Sequence, residues 1–540
     1  MMKRRNCYQR SGVFLAAVLI LTTVFCVVSE AAVPGKLKSV TYVSDAWVIN
    51  FWNTESDHME EELAQIAADG FNSIVLAVPW REFQPETAPV SYNSYAFAKL
   101  DRVMQAAQAQ GLGVRLRVSY TWDHYEREQP TMRFRRMMKD EKLRSAWLEY
   151  VGKLYQSVCG YDNFCGGFIT WEDFWNYMED APGLYTGRTA GVKEAEQIGF
   201  QEYLKKHYTL AEVQEYFGPK ERIRDYTSVG IPGRNSPAYL LFYEFYDEYL
   251  MELLNEAQQV FPDLSMEVRL DVDPVKGRDG SDVGAEHFKT FPCGEASYTA
   301  LMYSVSMGQK AGSLITAAEA VAMTVEQLQL VKAHNGGKPI YIDQLLYTDS
   351  TPGFEQNARL RQEELGDYLI MLPEVLDSYT NGYAVWSYRN YANNPVYNCQ
   401  FALGDRGWET SRTRIVQRGG SSQARIQANG SLSQEIGHWI SGKTRYDNHV
   451  RFTADSERPV WVSVRLGYRT EEVLVDGEMQ FDLNFGPTEY DLVEFRARDE
   501  VYLDNICVYN FVQDGQVYDL DGNALSCLDG LRTLNRLFGE

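Results

Sequence analysis

Apolar and polar positions follow two different rhythms along this chain, and the change of rhythm divides it. From about residue 47 to residue 386, short apolar runs alternate with longer stretches in which apolar residues recur every three to four positions. The runs predict strands at Trp47–Phe51, Ser73–Val78, Gly113–Ser119, around Phe168–Ile169, and at Met266–Asp271, Tyr298–Tyr303, Lys338–Gln344 and Gly382–Trp386. The helical period predicts helices at Met59–Ala68, Tyr95–Gln110, Ser145–Val158, Ala238–Gln259, Thr324–Ala333 and Leu365–Ser378, with Gly70 and Gly111 as stop signals. Between Tyr177 and about Pro237 the pattern loosens into Gly, Pro and charged residues with short helices. That stretch reads as an insertion on the loop after the fourth strand.

Eight strands alternating with helices predict a parallel sheet of the count that closes a (β/α)8 TIM barrel, spanning residues 41–405. An open doubly wound sheet would carry a Gly-rich phosphate turn after its first strand, and Asn53-Thr54-Glu55-Ser56 is not one. Beyond Gly404 the period shortens to two. Val460–Leu466, Glu472–Val475, Val493–Arg496 and Val501–Tyr509 read as strands separated by turns such as Asp476-Gly477, which predicts an all-β, jelly-roll-like sandwich over 411–540. The strand at Val501–Tyr509 looks like the closing strand of a carbohydrate-binding module. A β-domain that merely packs on the barrel fits the same pattern.

One stretch concentrates the chemistry. Gly166-Gly167-Phe168-Ile169-Thr170-Trp171-Glu172-Asp173-Phe174-Trp175 sets Glu172 at the end of the fourth strand among aromatic side chains. Partial desolvation disfavours the carboxylate and keeps a proton available near neutral pH, as a general acid requires. Indole faces are also what the apolar face of a sugar ring rests on. Acidic residues and aromatics at strand ends are equally common as structural elements, so this segment gains meaning only with the rest of the chain.

The composition narrows the partners. The formal charge of −22 excludes a nucleic-acid footprint and disfavours an anionic polysaccharide, while 35 Tyr, 11 Trp and 13% aromatic residues suit stacking on flat neutral ligands. At the N-terminus, Lys3, Arg4, Arg5 and Arg10 precede an uncharged run from Ser11 to Ser29 and a small-x-small site, Ser29-Glu30-Ala31. This predicts a signal peptide at 1–31 and a secreted, cell-surface or periplasmic protein. An uncleaved segment of this length would instead anchor the chain in a membrane. Cys159 and Cys165 bracket a short loop and are candidates for a disulfide. No Cys-x-x-Cys occurs and the seven His have no ligand spacing, so neither a metal nor an organic cofactor is expected.

Several of these stretches resemble the clan-A glycoside hydrolases, the retaining (β/α)8 enzymes that include the cellulase and mannanase family five. Val78-Pro79-Trp80-Arg81-Glu82-Phe83-Gln84-Pro85 is similar to the clan's second-strand ending, and Gly382-Tyr383-Ala384-Val385-Trp386 to its eighth strand. The resemblance assigns the acid/base role to Glu172, with Trp171 standing where the clan usually has Asn. It makes Trp386 the floor of the subsite at the cleavage point and Tyr303 the partner of the nucleophile. Trp80, Trp171 and Trp175 are further candidates for stacking sugar rings. Lys338-Pro339-Ile340-Tyr341-Ile342-Asp343-Gln344 resembles the seventh strand, yet the nucleophile position holds Gln344. A carboxamide cannot form the glycosyl ester.

Three readings stay open. Asp343 is the second carboxylate after a one-residue shift. Or Asp271 or Asp273 activates a water, at a separation favouring inversion. Or the barrel holds polysaccharide at the cell surface without cleaving it. The first leads to an exported glycoside hydrolase acting on a β-linked poly- or oligosaccharide. An esterase on the same barrel lacks the Gly-x-Ser-x-Gly elbow.

Overall fold

The computed structural model describes residues 35–55, 58–119, 132–170, 177–178, 181–185, 187–269, 274–284, 287–306, 309–347, 357–436, 447–512 and 515–540. The expected signal segment, and Trp171, Glu172, Trp175, Asp271 and Asp273, lie outside them.

Eight parallel strands close into a barrel: β1 (Leu37–Thr41), β2 (Ser73–Val78), β3 (Gly113–Val118), β4 (Phe164–Ile169), β5 (Ser265–Arg269), β6 (Thr299–Ser304), β7 (Ile340–Leu346) and β8 (Thr380–Val385). Around the barrel they follow chain order, with β8 hydrogen-bonded to β1. Every residue of β2, β3, β5 and β7 is buried, as expected of strands covered on both faces. Helices α1 (Met59–Ala68), α2 (Ser94–Ala109), α3 (Glu141–Val158), α4 (Tyr239–Gln258), α5 (Ala317–His334), α6 (Leu365–Met371) and α7 (Pro373–Tyr379) cover the outside. Local chemistry fixes several of their starts. Glu60, Glu61 and Glu62 complement the amino end of α1, and Thr316 with Glu319 forms a capping box on α5. Pro373 splits the single helix expected at 365–378 into α6 and α7.

The first strand is not where the apolar pattern put it. Trp47–Phe51 belongs to a buried loop ending in a 3-10 turn at Asn50–Trp52, and β1 is Leu-Lys-Ser-Val-Thr at residues 37–41. Its inward residue is polar because the barrel interior is polar there. The Ser39 hydroxyl lies 2.6 Å from that of Ser73 and accepts from Tyr341 at 2.8 Å. Gly382, inside β8, is held by crowding: a Cβ there would sit 2.7 Å from the Leu37 carbonyl oxygen and 2.9 Å from the Tyr341 ring. The bridge expected between Cys159 and Cys165 is not formed, since Cys165 is a free thiol.

After β8 the described residues form nine antiparallel strands: β9 (Tyr391–Asn393), β10 (Glu409–Arg418), β11 (Ser421–Glu435), β12 (Asn448–Asp455), β13 (Val460–Leu466), β14 (Arg469–Val475), β15 (Met479–Gly486), β16 (Leu492–Ala497) and β17 (Val501–Val512). Alternate residues of β12 and β13 are buried in a core of their own, with Phe452, Val462, Val464 and Phe495 at its centre.

The chain then leaves this domain. Helix α8 (Leu528–Leu537) returns to the barrel, where Leu528, Leu531, Leu534 and Phe538 enter the core between sheet and helices. It lies between the end of α1 and helix α6. Arg532 reaches Asp69, and the Asn535 amide donates to the Asp69 carbonyl and accepts from the Tyr383 hydroxyl. This is the place of the eighth barrel helix, which covers the seam between β8 and β1. The β-domain is therefore an insertion between β8 and α8, and the β-sandwich expected over 411–540 ends near Val512.

Candidate active site

The mouth of a (β/α)8 barrel is formed where its strands end, and the pairing shows which side chains point inward there. Ala300 stands opposite Glu267 and Tyr341, while Met302 stands opposite Arg269 and Gln344. Between these two levels β7 carries one residue more than β6. Ile342 faces Leu301, and the next pair is Gln344 with Met302, leaving Asp343 as the extra residue of a β-bulge. The β8 side agrees: Ile342 pairs with Tyr383 and Leu345 with Val385, so Asp343 and Gln344 together span the single residue Ala384. A regular strand would turn adjacent side chains to opposite faces. The bulge cancels that alternation at the position where an acid and its neighbouring carboxamide compete for the inward direction.

Gln344 faces the interior, where its Oε1 accepts from Arg117 Nη1 at 3.3 Å. Arg117, on β3, donates from Nη2 to both oxygens of Glu267 at 3.1 and 3.2 Å and to Thr170 Oγ1 at 3.0 Å. Its guanidinium lies 5.8 Å from the centre of the Trp386 ring. Arg117, Glu267, Gln344, Asp343 and Trp386 are all buried. The guanidinium charge is compensated by a fully buried carboxylate, which is how a charge persists inside a barrel. Beneath this layer Arg115 lies between the rings of Tyr298 and Tyr341, 4.2 Å from each centroid, and donates to the Cys165 carbonyl at 3.0 Å. Burial pushes both phenols above their usual range; for Tyr341, Asp343 adds to the effect.

The residues singled out from the sequence separate into three groups. Gln344 and Trp386 come together around Arg117 at the strand ends, and Asp343 stands next to Gln344 in the bulge. Glu172, Trp171, Trp175 and Asp271 lie outside the described residues. Trp80 and Tyr303 are turned away from the mouth. Trp80 has no exposed surface: its indole N–H donates to Gln84 at 2.7 Å, and its ring packs against Phe134 and Tyr150. Tyr303 lies one residue out of phase with the inward Ala300 and Met302. Its hydroxyl accepts from Thr324 of α5 at 2.9 Å under the helices, and burial pushes its phenol up to about 12. The reason is the two-residue period of the strand, in which one step exchanges barrel interior for helix layer.

Arg117 and Glu267 were not among the candidates, although their signal is present in the sequence. Val-Arg-Leu-Arg-Val over 114–118 and Met-Glu-Val-Arg over 266–269 alternate charge with apolar residues in strands that must be buried. That combination marks a charged interior. A second buried pair is legible only in the structure. His287 Nδ1, in the loop after β5, lies 3.2 and 3.3 Å from the carboxylate oxygens of Asp247 on α4. Among the described residues no group of three or more His, Cys, Asp or Glu could hold a metal ion, and no helix is long and apolar enough to cross a membrane.

No family model and no curated protein matches the chain. Solved structures are similar to it over two thirds of its length. A GH5_18 protein from Streptomyces cattleya in complex with GlcNAc is 13% identical with a TM-score of 0.41, over 66% of this chain and 71% of that one. A GH42 β-galactosidase from G. stearothermophilus is 11% identical with a TM-score of 0.46, over 66% and 51%. An exo-β-1,4-mannosidase from Opitutaceae bacterium strain TAV5 is 12% identical with a TM-score of 0.37, over 66% and 52%. Closure of eight parallel strands in chain order makes residues 37–385, completed by α8, a (β/α)8 barrel that carries a β-domain between its eighth strand and eighth helix.

Proposed function

We propose that this protein is an exported glycoside hydrolase that cleaves a β-linked poly- or oligosaccharide at the mouth of the barrel. The observation that carries this reading is the bulge in β7, where two residues span one and Asp343 stands beside the inward Gln344. A carboxamide at the expected nucleophile position removes the usual acid. A bulge next to it supports an exchange of roles, because it releases Asp343 from the alternation that would otherwise oppose it to Gln344.

In this reading Glu172 protonates the leaving glycosidic oxygen and then deprotonates water. Asp343 attacks the anomeric carbon or stabilises the oxocarbenium-like centre. Trp386 supports the sugar ring, and Arg117, held by Glu267, keeps the Gln344 amide in one orientation. The N-terminal basic and apolar segments support export. The Gln344–Arg117 contact also favours a second reading, a barrel that holds sugar without cleaving it.

Release of new reducing ends from a panel of soluble glucans, mannans and xylans tests both. Hydrolysis that falls at least ~10²-fold in both Glu172→Gln and Asp343→Asn supports the enzyme. Hydrolysis that survives Asp343→Asn removes Asp343 from the mechanism. Retention on one polysaccharide without release of ends establishes the second reading. In an active enzyme, the anomer formed first, followed by NMR, separates attack by Asp343 from activation of water by a more distant acid.

A further inference from the structure

The neck of the inserted β-domain holds two cysteines whose surroundings suit a covalent link. The chain enters the domain through β9, which pairs antiparallel with the end of β17: Tyr391 opposite Val512, Ala392 opposite Phe511 and Asn393 opposite Asn510. The next residue, Asn394, fastens the two strands together. Its Oδ1 accepts from the backbone N–H groups of Val396 and Val508, both at 3.0 Å, and its Nδ2 donates to Cys399 Sγ at 3.2 Å. The Cys399 carbonyl then accepts from the Ile506 N–H at 3.3 Å, which brings Cys399 alongside Cys507.

Both thiols are free and buried, at 0% and 4% exposure, and the Cys399 thiol donates to the Val396 carbonyl at 3.3 Å. Their environments differ. Burial holds the Cys399 thiol well above its ordinary range. The Cys507 thiol is shifted down by the neighbouring Cys399, helped by Arg451, which stands opposite it in the β12–β17 register and pairs with Asp45 of the barrel at 3.5 Å. Cys507 is therefore the better nucleophile of the two, and Cys399 the thiol that resolves.

We propose that Cys399 and Cys507 are a disulfide-forming pair that clamps the neck of the β-domain. The oxidant is a low-molecular-weight disulfide such as oxidised glutathione, acting late in folding, after the two thiols have met beside Arg451 and before the pair is fully enclosed. The Cys507 thiolate attacks one sulfur of that disulfide and expels a thiolate, which takes up a proton. The Cys399 thiol then loses its proton, attacks the mixed disulfide at Cys507 and releases the second small thiol. Two protein thiols become one disulfide, and the two electrons pass to the glutathione pair. The closed loop contains the whole of β10 to β16, the type of long loop whose closure most restricts the unfolded chain.

The test is to refold the full chain in oxidised or in reduced glutathione, block free thiols under denaturing conditions, and map peptides without reduction. The expected result in oxidised glutathione is a peptide pair joining Cys399 to Cys507, absent in Cys399→Ser and in Cys507→Ser. The oxidised protein should also melt about 5 °C or more above the reduced one, while the double variant Cys399→Ser/Cys507→Ser melts identically in both buffers. Recovery of both cysteines as blocked thiols from correctly folded, oxidatively refolded protein would overturn the proposal. So would a link of either to another cysteine, or a link that leaves the melting temperature unchanged.

Discussion

Arg117 and Glu267 face each other across the interior of the barrel, one guanidinium nitrogen donating to both carboxylate oxygens at 3.1 and 3.2 Å. The two come from β3 and β5, and neither is accessible to solvent. Removing one member leaves the other charged and buried. Glu267→Ala should therefore lower stability by about 3–5 kcal/mol, and adding Arg117→Met should restore most of it. Denaturant midpoints of the two single variants and the double variant check this; additive losses would mean that the pair is not coupled.

Among the described residues, the Tyr303 hydroxyl has its partner under the helices and none at the barrel mouth. With its hydroxyl accepting from Thr324 beneath α5, Tyr303→Phe should cost about 1 kcal/mol of stability and change kcat by less than about twofold. Rate measurements alongside a melting curve decide it. A large fall in kcat at unchanged stability would return this phenol to the reaction.

The last helix completes the barrel. Asp69 accepts from Arg532 Nη2 at 2.8 Å, from Tyr388 at 3.1 Å and from Tyr518 at 3.0 Å, fixing the returning chain against α1. Leu534, fully buried on α8, should on replacement by Ala destabilise the barrel by about 2–5 kcal/mol. Hydrogen exchange in β1 and β8 should accelerate in that variant while the β-domain strands keep their protection. Equal acceleration throughout would show that the helix serves both domains alike.

Asp504, on β17, is 6% exposed, and burial pushes its carboxyl up to about 6, although the Asn505 N–H donates to it at 2.8 Å. The native state thus binds this proton more tightly than the unfolded chain does. Its contribution is complete below about pH 4 and is lost as the pH rises through 6, amounting to at most about 3 kcal/mol. In Asp504→Asn the fall in stability between pH 4 and pH 7 should be smaller than in the parent by up to that amount. Denaturant titrations at several pH values measure the difference, and identical slopes would refute the assignment.

Much of this architecture was legible from the chain. Seven of the eight barrel strands fall on the apolar runs that predicted them, because a strand covered on both faces must be apolar and short. The failure at β1 has the same logic reversed. Leu-Lys-Ser-Val-Thr carries a polar residue inward to Ser73 and Tyr341, whereas the aromatic run of Trp47–Phe51 is buried as a loop. Helix α8 escaped because nothing in Leu528–Leu537 reveals that its apolar face meets the distant strands Leu37–Thr41 and Thr380–Val385 rather than the β-domain beside it in sequence.

By itself, the sequence determined seven of the eight barrel strands, the change from α/β to all-β texture, and the presence of acids and tryptophans near strand ends. Those properties follow from local period and composition. Only the tertiary structure decided which face each side chain occupies. That depends on register: one extra residue, Asp343, turns Gln344 to the interior, and one residue of phase puts Tyr303 in the helix layer. The pairing of Arg117 with Glu267, and of the Cys399 carbonyl with the Ile506 N–H, belongs to the same class. Both join positions far apart in the chain, and only closure of the sheets brings them within reach.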